Sequence, residues 1–443
     1  MILTRQQKLF RGNGSAPSAR AIADSVISAL TPAAWYRNAT DVISSGGFAS
    51  IWADYASSDK GLVLPGASGN YASLADGANV QFGTVSLELC CRVQINDWTP
   101  STARFLSVKA NAYFAPSWYI ANATGMLVYQ CRISGLDKNI GSGVAPPLSD
   151  GEWAWLRITH VFATGKVNFY YAADSEAVPS SWTQVGSEQT TDTGAPTDAV
   201  STFGIGGNSG LNVTDGIIKR FLYYKDGAVS VDADFTAQEL GATSFTESSS
   251  NAATVTINTS GASPAHIGKA RDLLQGTGTN QPAYAAGVFT FDGVDNFLRT
   301  SAIAALTNPV TQYAVIEQGS WTTGEFMSDG ASVVGRQFLR QASTTPEFDI
   351  SGGSTPNTDL AVGAFGIVCA VWNGAASSHR VNNNAKIVVN VVSVYNGLTI
   401  GARYDNAIPA HVLVKEWVVF NAAHDDATQS SVITALNDAL TVF

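Results

Sequence analysis

Two β-sandwiches in one chain are what this sequence predicts, on three observations. The first is a repeat. Ile205-Gly206-Gly207, a polar loop and Gly216-Ile217-Ile218-Lys219-Arg220-Phe221-Leu222-Tyr223-Tyr224 are matched by Ile400-Gly401-Ala402-Arg403, a polar loop and Val412-Leu413-Val414-Lys415-Glu416-Trp417-Val418-Val419-Phe420. The distance from Ile-Gly to the internal Lys differs by one residue between the two blocks. Each block is two β-rich runs and closes one half of the chain. Such duplication favours presentation or avidity over a single deep catalytic cleft. The second observation is alternation. Val85-Ser86-Leu87-Glu88-Leu89, Trp153-Ala154-Trp155-Leu156-Arg157-Ile158 and Lys166-Val167-Asn168-Phe169-Tyr170-Tyr171 lie between turn formers such as Gly69-Asn70, Asp76-Gly77, Asp150-Gly151 and Thr164-Gly165. That pattern predicts antiparallel strands with one buried face. The third is composition: of 443 residues only 14% are charged and 41 are Gly, as in a β protein with many tight turns.

The elements follow in order. Residues 1–34 open with Arg5, Lys8, Arg11 and Arg20, all ahead of the first acid, Asp24. Ser18 can cap a short helix that carries Ile22, Val26 and Leu30 on one face and ends at Thr31-Pro32. We expect this basic, amphipathic segment to dock onto a partner chain or a neighbouring copy. Residues 35–243 form the first sandwich. Residues 244–263 read as a connector with one strand around Val255-Thr256-Ile257. Residues 264–443 form the second, with Val288-Phe289-Thr290-Phe291, the turn Asp292-Gly293-Val294-Asp295, and the apolar runs Gly366-Ile367-Val368-Cys369-Ala370-Val371-Trp372 and Lys386-Ile387-Val388-Val389-Asn390-Val391-Val392. A helix capped by Asp425 or Asp426 ends the chain. Its apolar face, Val432, Ile433, Leu436, Ala439 and Leu440, is expected to cover a sheet edge or end.

Several function classes are disfavoured. The net charge of −10 repels nucleic acid. No apolar run approaches the ~18 residues of a membrane-spanning helix, so no membrane insertion is expected. The opening residues lack the apolar core of a secretory signal, so synthesis in a cytoplasm without export by the usual route is expected. Cys90, Cys91, Cys131 and Cys369 have no C-x-x-C spacing, against zinc or a dithiol site. They read as buried small hydrophobes, with a bridge from Cys90 or Cys91 to Cys131 left open. His160, His266, His379, His411 and His424 are scattered, and no Gly-x-Ser-x-Gly elbow is present. The stretch Gly204 to Gly210 lacks the Lys-Ser/Thr of a phosphate loop. Asp292 and Asp295 could ligate calcium, yet Asp-Gly between strands is first a turn signal, so neither metal nor cofactor is expected.

The second half resembles the concanavalin A-like lectin/glucanase sandwich, also called laminin-G-like. The carrying residues are Phe289-Thr290-Phe291-Asp292-Gly293-Val294-Asp295-Asn296-Phe297-Leu298, the run from Phe365 to Trp372 and the Ile400 block. The first half is similar through Gly151-Glu152-Trp153 to Ile158, Val167 to Tyr171 and the Ile205 block. This implies an all-β chain of two concanavalin A-like jelly-roll β-sandwiches in tandem, with an N-terminal docking segment and a C-terminal helix. A further likeness lies in Ser28-Ala29-Leu30-Thr31-Pro32-Ala33-Ala34-Trp35-Tyr36 and Gly46-Gly47-Phe48-Ala49-Ser50-Ile51-Trp52-Ala53-Asp54, which resemble openings of tailed-phage virion proteins. Ala233-Asp234-Phe235-Thr236 and Gly241-Ala242-Thr243-Ser244-Phe245 are of the same kind. Virion membership is what that resemblance implies.

Glucanases of this fold place acids at E-x-D-x-E spacing, so that alternate side chains share a cleft. The nearest match here is Glu347-Phe348-Asp349-Ile350-Ser351, which has Ser where the third acid would stand. Binding is therefore the expectation. Sugar rings stack on exposed aromatics beside polar groups, and Trp98, Trp118, Tyr119 and Trp182 in the first half lie in loop-like, polar surroundings. Trp321, Arg340 and Tyr404 are the candidates in the second. Trp35, Trp52, Trp153, Trp155, Trp372 and Trp417 sit in apolar or strand-like runs and read as core. The expected protein is a non-enzymatic virion surface component, either a tail fibre or receptor-binding protein, or a capsid decoration protein or head fibre. Its partners would be other virion proteins, through the N-terminal segment, and a host-surface glycan. A homotrimer is expected by analogy with such proteins. A polysaccharide-degrading glycoside hydrolase and a non-viral adhesin are the alternatives.

Overall fold

The computed structural model describes residues 18–37, 42–57, 59–109, 116–208, 213–261, 264–300, 306–333, 336–353 and 355–443. Arg5, Lys8 and Arg11 lie outside these residues. The first sandwich, module one, packs two antiparallel sheets face to face. One orders strands Leu136–Gly141, Leu127–Ile133, Ser117–Ile120, Arg104–Lys109, Phe203–Ile205, Tyr71–Leu74, Thr254–Asn258 and Ser244–Thr246. The other, the larger with nine strands among the described residues, places Lys166–Ala173, Trp153–Val161, Ser86–Ile95, Asp215–Lys225, Gly61–Pro65 and His266–Gly268 side by side. Inward residues of both, among them Leu64, Leu89, Cys91, Tyr129 and Phe221, form one core. Alternation along each strand is what makes this possible, since every second side chain meets the facing sheet.

Module two repeats the plan. Its larger sheet orders Val288–Asp292, His411–Phe420, Val310–Gln318, Phe365–Trp372, Gly374–Val381 and Ile387–Val391. Its smaller sheet orders Phe348–Ile350, Leu339–Gln341, Phe326–Asp329, Thr399–Ile400, Leu298–Arg299 and Leu273–Leu274. Strand Phe48–Trp52 joins the two, because Phe48 pairs with Ala283 while Ile51 and Trp52 pair with Leu274 and Leu273.

These pairings redraw the boundaries expected at residues 35, 243 and 264. Ala34–Tyr36 pairs with Trp417–Val419, so strands Ala34–Tyr36, Val42–Ser45 and Phe48–Trp52 belong to module two. Ser244–Thr246 and Thr254–Asn258 are not a connector; they extend the sheet of module one. His266–Gly268 pairs with Gly61–Val63 in the other sheet of that module. Module one, residues 61–268, is thus inserted between two parts of module two. Backbone hydrogen bonding of distant strands decides this, and local pattern carries no trace of it.

The repeat has a residue-level basis. Gly206 and Gly401 both take left-handed φ, +77° and +86°. Their N–H groups donate to Leu106 and Met327, and their carbonyls accept from Thr214 and Ala410. Lys219 and Lys415 are each the extra residue of a β-bulge: Ile218 and Arg220 face Val93 and Arg92, while Glu416 and Val414 face Val315 and Ile316. Each ammonium lies over an aromatic ring two strands away, Lys219 at 4.2 Å from Trp153 and Lys415 at 4.0 Å from Phe365.

Where the chain crosses between modules, Asp54 and Asp272 are buried together. Asp272 Oδ1 accepts from Asp54 N (2.8 Å), and its Oδ2 accepts from Lys269 N (2.8 Å) and His266 Nε2 (3.3 Å). Asp54 Oδ1 accepts from Trp35 N (2.8 Å) and Ala56 N (2.9 Å), and Lys269 Nζ donates to the Asp54 carbonyl. Burial raises the Asp54 carboxyl to about 6, against those two N–H donors and with help from the Asp272 charge. The folded state therefore holds this proton more tightly than the unfolded chain. Its contribution is most favourable below about pH 4 and is lost as pH rises through about 6. In Asp54→Asn that loss is absent. Urea titrations from pH 4 to pH 8 should show the variant gaining on the parent by about 2 kcal/mol, most of it between pH 4 and pH 6.5.

Both helices cover the outer face of module two's larger sheet, not an edge or end. Tyr313, Val315, Ile367, Cys369, Val418 and Phe420 point outward and pack against Ile27 of helix Ala19–Ser28 and Val432, Ile433 and Leu436 of helix Asp426–Leu440. Ser18 and Asp425 are the N-caps. Strands covered on both faces read as continuous apolar runs, as the stretch ending at Trp372 does. The N-terminal helix therefore docks onto its own chain. Its buried face is Ala23 and Ile27, with Val26 and Leu30 partly buried, whereas Ile22 points to solvent. Arg20 pairs with Glu416 of the sheet (2.6 Å) and with Asp24 (2.6 Å).

Candidate functional site

The sequence candidates separate sharply. Trp98 and Trp118 are 4% and 0% exposed and belong to the core of module one. Their polar neighbours in sequence are the outward members of the same alternating strands and turns. Trp182 lies over the outer face of module one's larger sheet, packed on Cys90, Trp155 and Leu222, with the Arg157 guanidinium 5.4 Å from its ring. It closes a small apolar cluster. Of the residues read as core, Trp35, Trp52, Trp155, Trp372 and Trp417 are buried, and Trp153 is half-buried beneath Lys219. All four cysteines are buried and free.

Of the remaining candidates, Tyr119, Arg340 and Tyr404 mark the outer faces of the two smaller sheets. Tyr119 stands there in module one, its ring 5.1 Å from Phe105. Arg340 and Tyr404 stand there in module two and are linked by residues that the sequence reading missed. Arg336, Phe338 and Arg340 recur every second residue, so they share the face opposite Gln337, Leu339 and Gln341. That spacing was a readable signal. The Arg336 guanidinium lies 5.5 Å from the Phe326 ring, 5.3 Å from Phe338 and 4.9 Å from Tyr404. Arg340 lies 5.5 Å from the same Phe338 ring. Trp321 is in the loop that enters strand Phe326–Asp329, where Gln341 Oε1 accepts from Thr322 N (3.0 Å) and Gln341 O from Gly324 N (2.9 Å).

Beneath this platform Asp329 is fully buried, and burial raises its carboxyl above the usual range. The Tyr404 N–H (3.0 Å) and the Arg336 guanidinium (3.0 Å) oppose that rise and fix both groups to the sheet. Arg340 is held by Asp349 (3.1 Å). Arg403 pairs with Asp405 (2.6 Å), which draws that carboxyl down to about 2. Arg299 adds a fourth guanidinium, donating to Thr399 Oγ1 (2.9 Å), to the Arg403 carbonyl (3.4 Å) and to Asn406 Oδ1. Rings with planar guanidinium groups beside them, on a rigid sheet, can stack a sugar ring and hydrogen-bond its hydroxyls.

Among the described residues, the acids named as catalytic candidates are engaged in other contacts. Asp349 is committed to Arg340, and Glu347 accepts from Thr345 (2.5 Å). Ser351 Oγ accepts from Trp372 Nε1 (2.8 Å). Asp292 Oδ1 is occupied by its own turn, accepting from Val294 N (2.9 Å) and Asp295 N (3.3 Å). No cluster of three His, Cys, Asp or Glu side chains placed to hold a metal occurs among the described residues. Two grooves lie elsewhere. One of about 450 Å³ is bordered by Val371, Lys386, His424 and Asp426, and one of about 360 Å³ by Ile43, Thr243, Ser260 and Gln281 at the module junction. Neither is lined by Trp, Tyr or Phe.

No family model matches this chain. No curated protein is similar to it at a meaningful level. Several solved structures are similar to it at low TM-scores. Domains LG4-5 of the mouse laminin alpha1 chain superimpose with a TM-score of 0.32 at 10% identity, over 87% of this chain and 94% of that one. Trypanosoma rangeli sialidase gives 0.30 at 8% identity, over 73% and 68%. An α-L-arabinofuranosidase gives 0.31 at 13% identity, over 45% and 62%. The sandwich fold itself is given by the chain's own face-packed antiparallel sheets.

Proposed function

We propose that this chain is a non-catalytic, carbohydrate-binding surface protein whose glycan lies on the outer face of module two's smaller sheet. One observation carries the reading: Arg336 is ringed by buried Phe326 and half-buried Phe338 and Tyr404 on the face of the sheet turned away from the core. Part-exposed rings rimmed by polar groups mark ligand-binding surfaces. Tyr404→Ala removes one ring of the platform and should weaken glycan binding by about tenfold or more, with the melting temperature within a few degrees of the parent. Binding unchanged in Tyr404→Ala, measured on an array of bacterial-envelope glycans, would move the site elsewhere.

The proposed setting is the exterior of a tailed-phage particle, as tail fibre, receptor-binding protein or decoration protein, in a trimer. The resemblance of residues 28–36 and 46–54 to virion openings supports it. With the first helix bound to its own chain, attachment falls to the preceding basic residues, Arg5, Lys8 and Arg11. Quantitative mass spectrometry of purified particles checks this. A few copies per particle place the protein on the tail, copies near those of the capsid protein make it a decoration protein, and absence sinks the setting.

A further inference from the structure

The two smaller sheets can be compared position by position. Ile205 pairs with Ala72 and Ser107, and Ile400 pairs with Leu298 and Ser328. Phe105 and Ser107 flank a bulge opposite Tyr119 and Trp118; Phe326 and Ser328 flank the same bulge opposite Arg340 and Leu339. From this register Phe105 answers to Phe326 and Tyr119 to Arg340. One strand further, Val128 answers to Asp349. On the other side, Ser73 pairs with Gly204 where Arg299 pairs with Thr399, so Ser73 answers to Arg299. The aromatic position is kept. Charge appears at three matched positions in module two where module one has hydroxyl, phenol and isopropyl groups. The sandwich evidently does not require charge there.

Arg299 differs from its neighbours. Arg336, Arg340 and Arg403 each pair with a carboxylate. Arg299 has no ion pair among the described residues: its Nε and Nη2 donate to a hydroxyl, a carbonyl and an amide oxygen. Burial lowers its pKa, with only the more distant Asp329 and Asp405 opposing that. The bonded groups fix the plane of the guanidinium, and Nη1 has no partner among the described residues. A recessed, oriented cation with donors to spare, close to the Tyr404 loop, is built for an anion that accepts planar hydrogen bonds.

We propose that module two recognises an acidic sugar, with the Arg299 guanidinium binding the sugar carboxylate while the ring packs on the Tyr404 side of the platform. Module one, with Ser73 at the matched position, has no such preference. The proposal deepens the glycan-binding reading and rests on it.

The test uses the full chain and ligand-observed NMR at low salt. The probes are methyl glucuronoside and methyl galacturonoside, their neutral counterparts methyl glucoside and methyl galactoside, and a glucose 6-sulfate glycoside. The uronosides should bind at least about tenfold more tightly than the neutral sugars, the worth of one charge-assisted pair. Arg299→Ser, which installs the residue of module one, should abolish that difference, leaving uronosides and neutral sugars bound alike. Arg299→Lys should restore only part of it. A circular dichroism melt of each variant confirms that the fold is kept, because Arg299 is in no core cluster. Neutral sugars and uronosides binding alike, or a preference that survives in Arg299→Ser, overturns carboxylate recognition and leaves glycan binding standing. Preference for the sulfated probe over the uronosides also overturns it. No binding of any probe, together with a blank glycan array, overturns both readings.

Discussion

Arg20→Ala is expected to destabilise module two by about 3 kcal/mol, the usual cost of stripping one partner from a buried ion pair. Glu416 is 0% exposed, on the outer face of a central strand that also turns Val418 and Phe420 to that side. Its carboxylate accepts from Arg20 Nη1 (2.6 Å), Arg20 Nη2 (3.0 Å) and Trp35 Nε1 (2.8 Å). Removing the guanidinium takes two donors from that carboxylate in an apolar layer and loosens the first helix, which Ala23, Ile27, the partly buried Val26 and Leu30, and the Asp24–Arg37 pair (2.7 Å) still hold. Glu416→Gln keeps an acceptor for Trp35 and carries no charge. Arg20→Ala with Glu416→Gln should therefore lose clearly less than Arg20→Ala alone. Urea unfolding of the single and double variants measures this. A loss below about 1 kcal/mol in Arg20→Ala would mean that the pair behaves as a solvent-screened surface bridge.

Gly401→Ala is the second large effect. The residue has φ +86°, and a Cβ built on it would lie 2.2 Å from Cδ1 of the Phe291 ring. Phe291 is fully buried, so the ring has nowhere to go. Left-handed backbone costs a non-glycine residue about 1 kcal/mol, and overpacking a filled core costs about 1–3 kcal/mol more. A total near 3 kcal/mol is expected. Gly206→Ala repeats the conflict in module one, where the added Cβ meets Leu64 Cδ1 at 2.2 Å. The two variants should differ in function. Gly401 leads into the loop of Arg403, Tyr404 and Asn406, so its substitution should also weaken glycan binding, whereas Gly206→Ala should leave binding intact. Calorimetric melts paired with binding measurements separate the outcomes.

The duplicated block was legible because Ile-Gly and the internal Lys answer to local demands. A strand must end in a residue that tolerates left-handed φ against the core, and a bulge must place one cation over a ring. The site was legible only in fragments. Arg340 and Tyr404 were visible as polar and aromatic loop or edge residues, but the pairing of Phe326–Asp329 with Leu339–Gln341 brings them together. Trp98 and Trp118 misled because polarity of sequence neighbours says little in a strand, where adjacent side chains point to opposite faces.

By itself, the sequence determined the all-β class, the two sandwiches, the caps of both helices and the runs buried on both faces. Each depends on periodicity, turn chemistry or capping within a few residues. Tertiary structure alone decided that module one is inserted into module two, that the first helix lies on its own chain through Arg20 and Glu416, and that four arginines converge with Phe326, Phe338 and Tyr404. These rest on pairings between strands up to several hundred residues apart, as between Trp35 and Val418. Hydrogen bonds of identical backbone groups make those pairings, and shape and burial in the folded state choose among them.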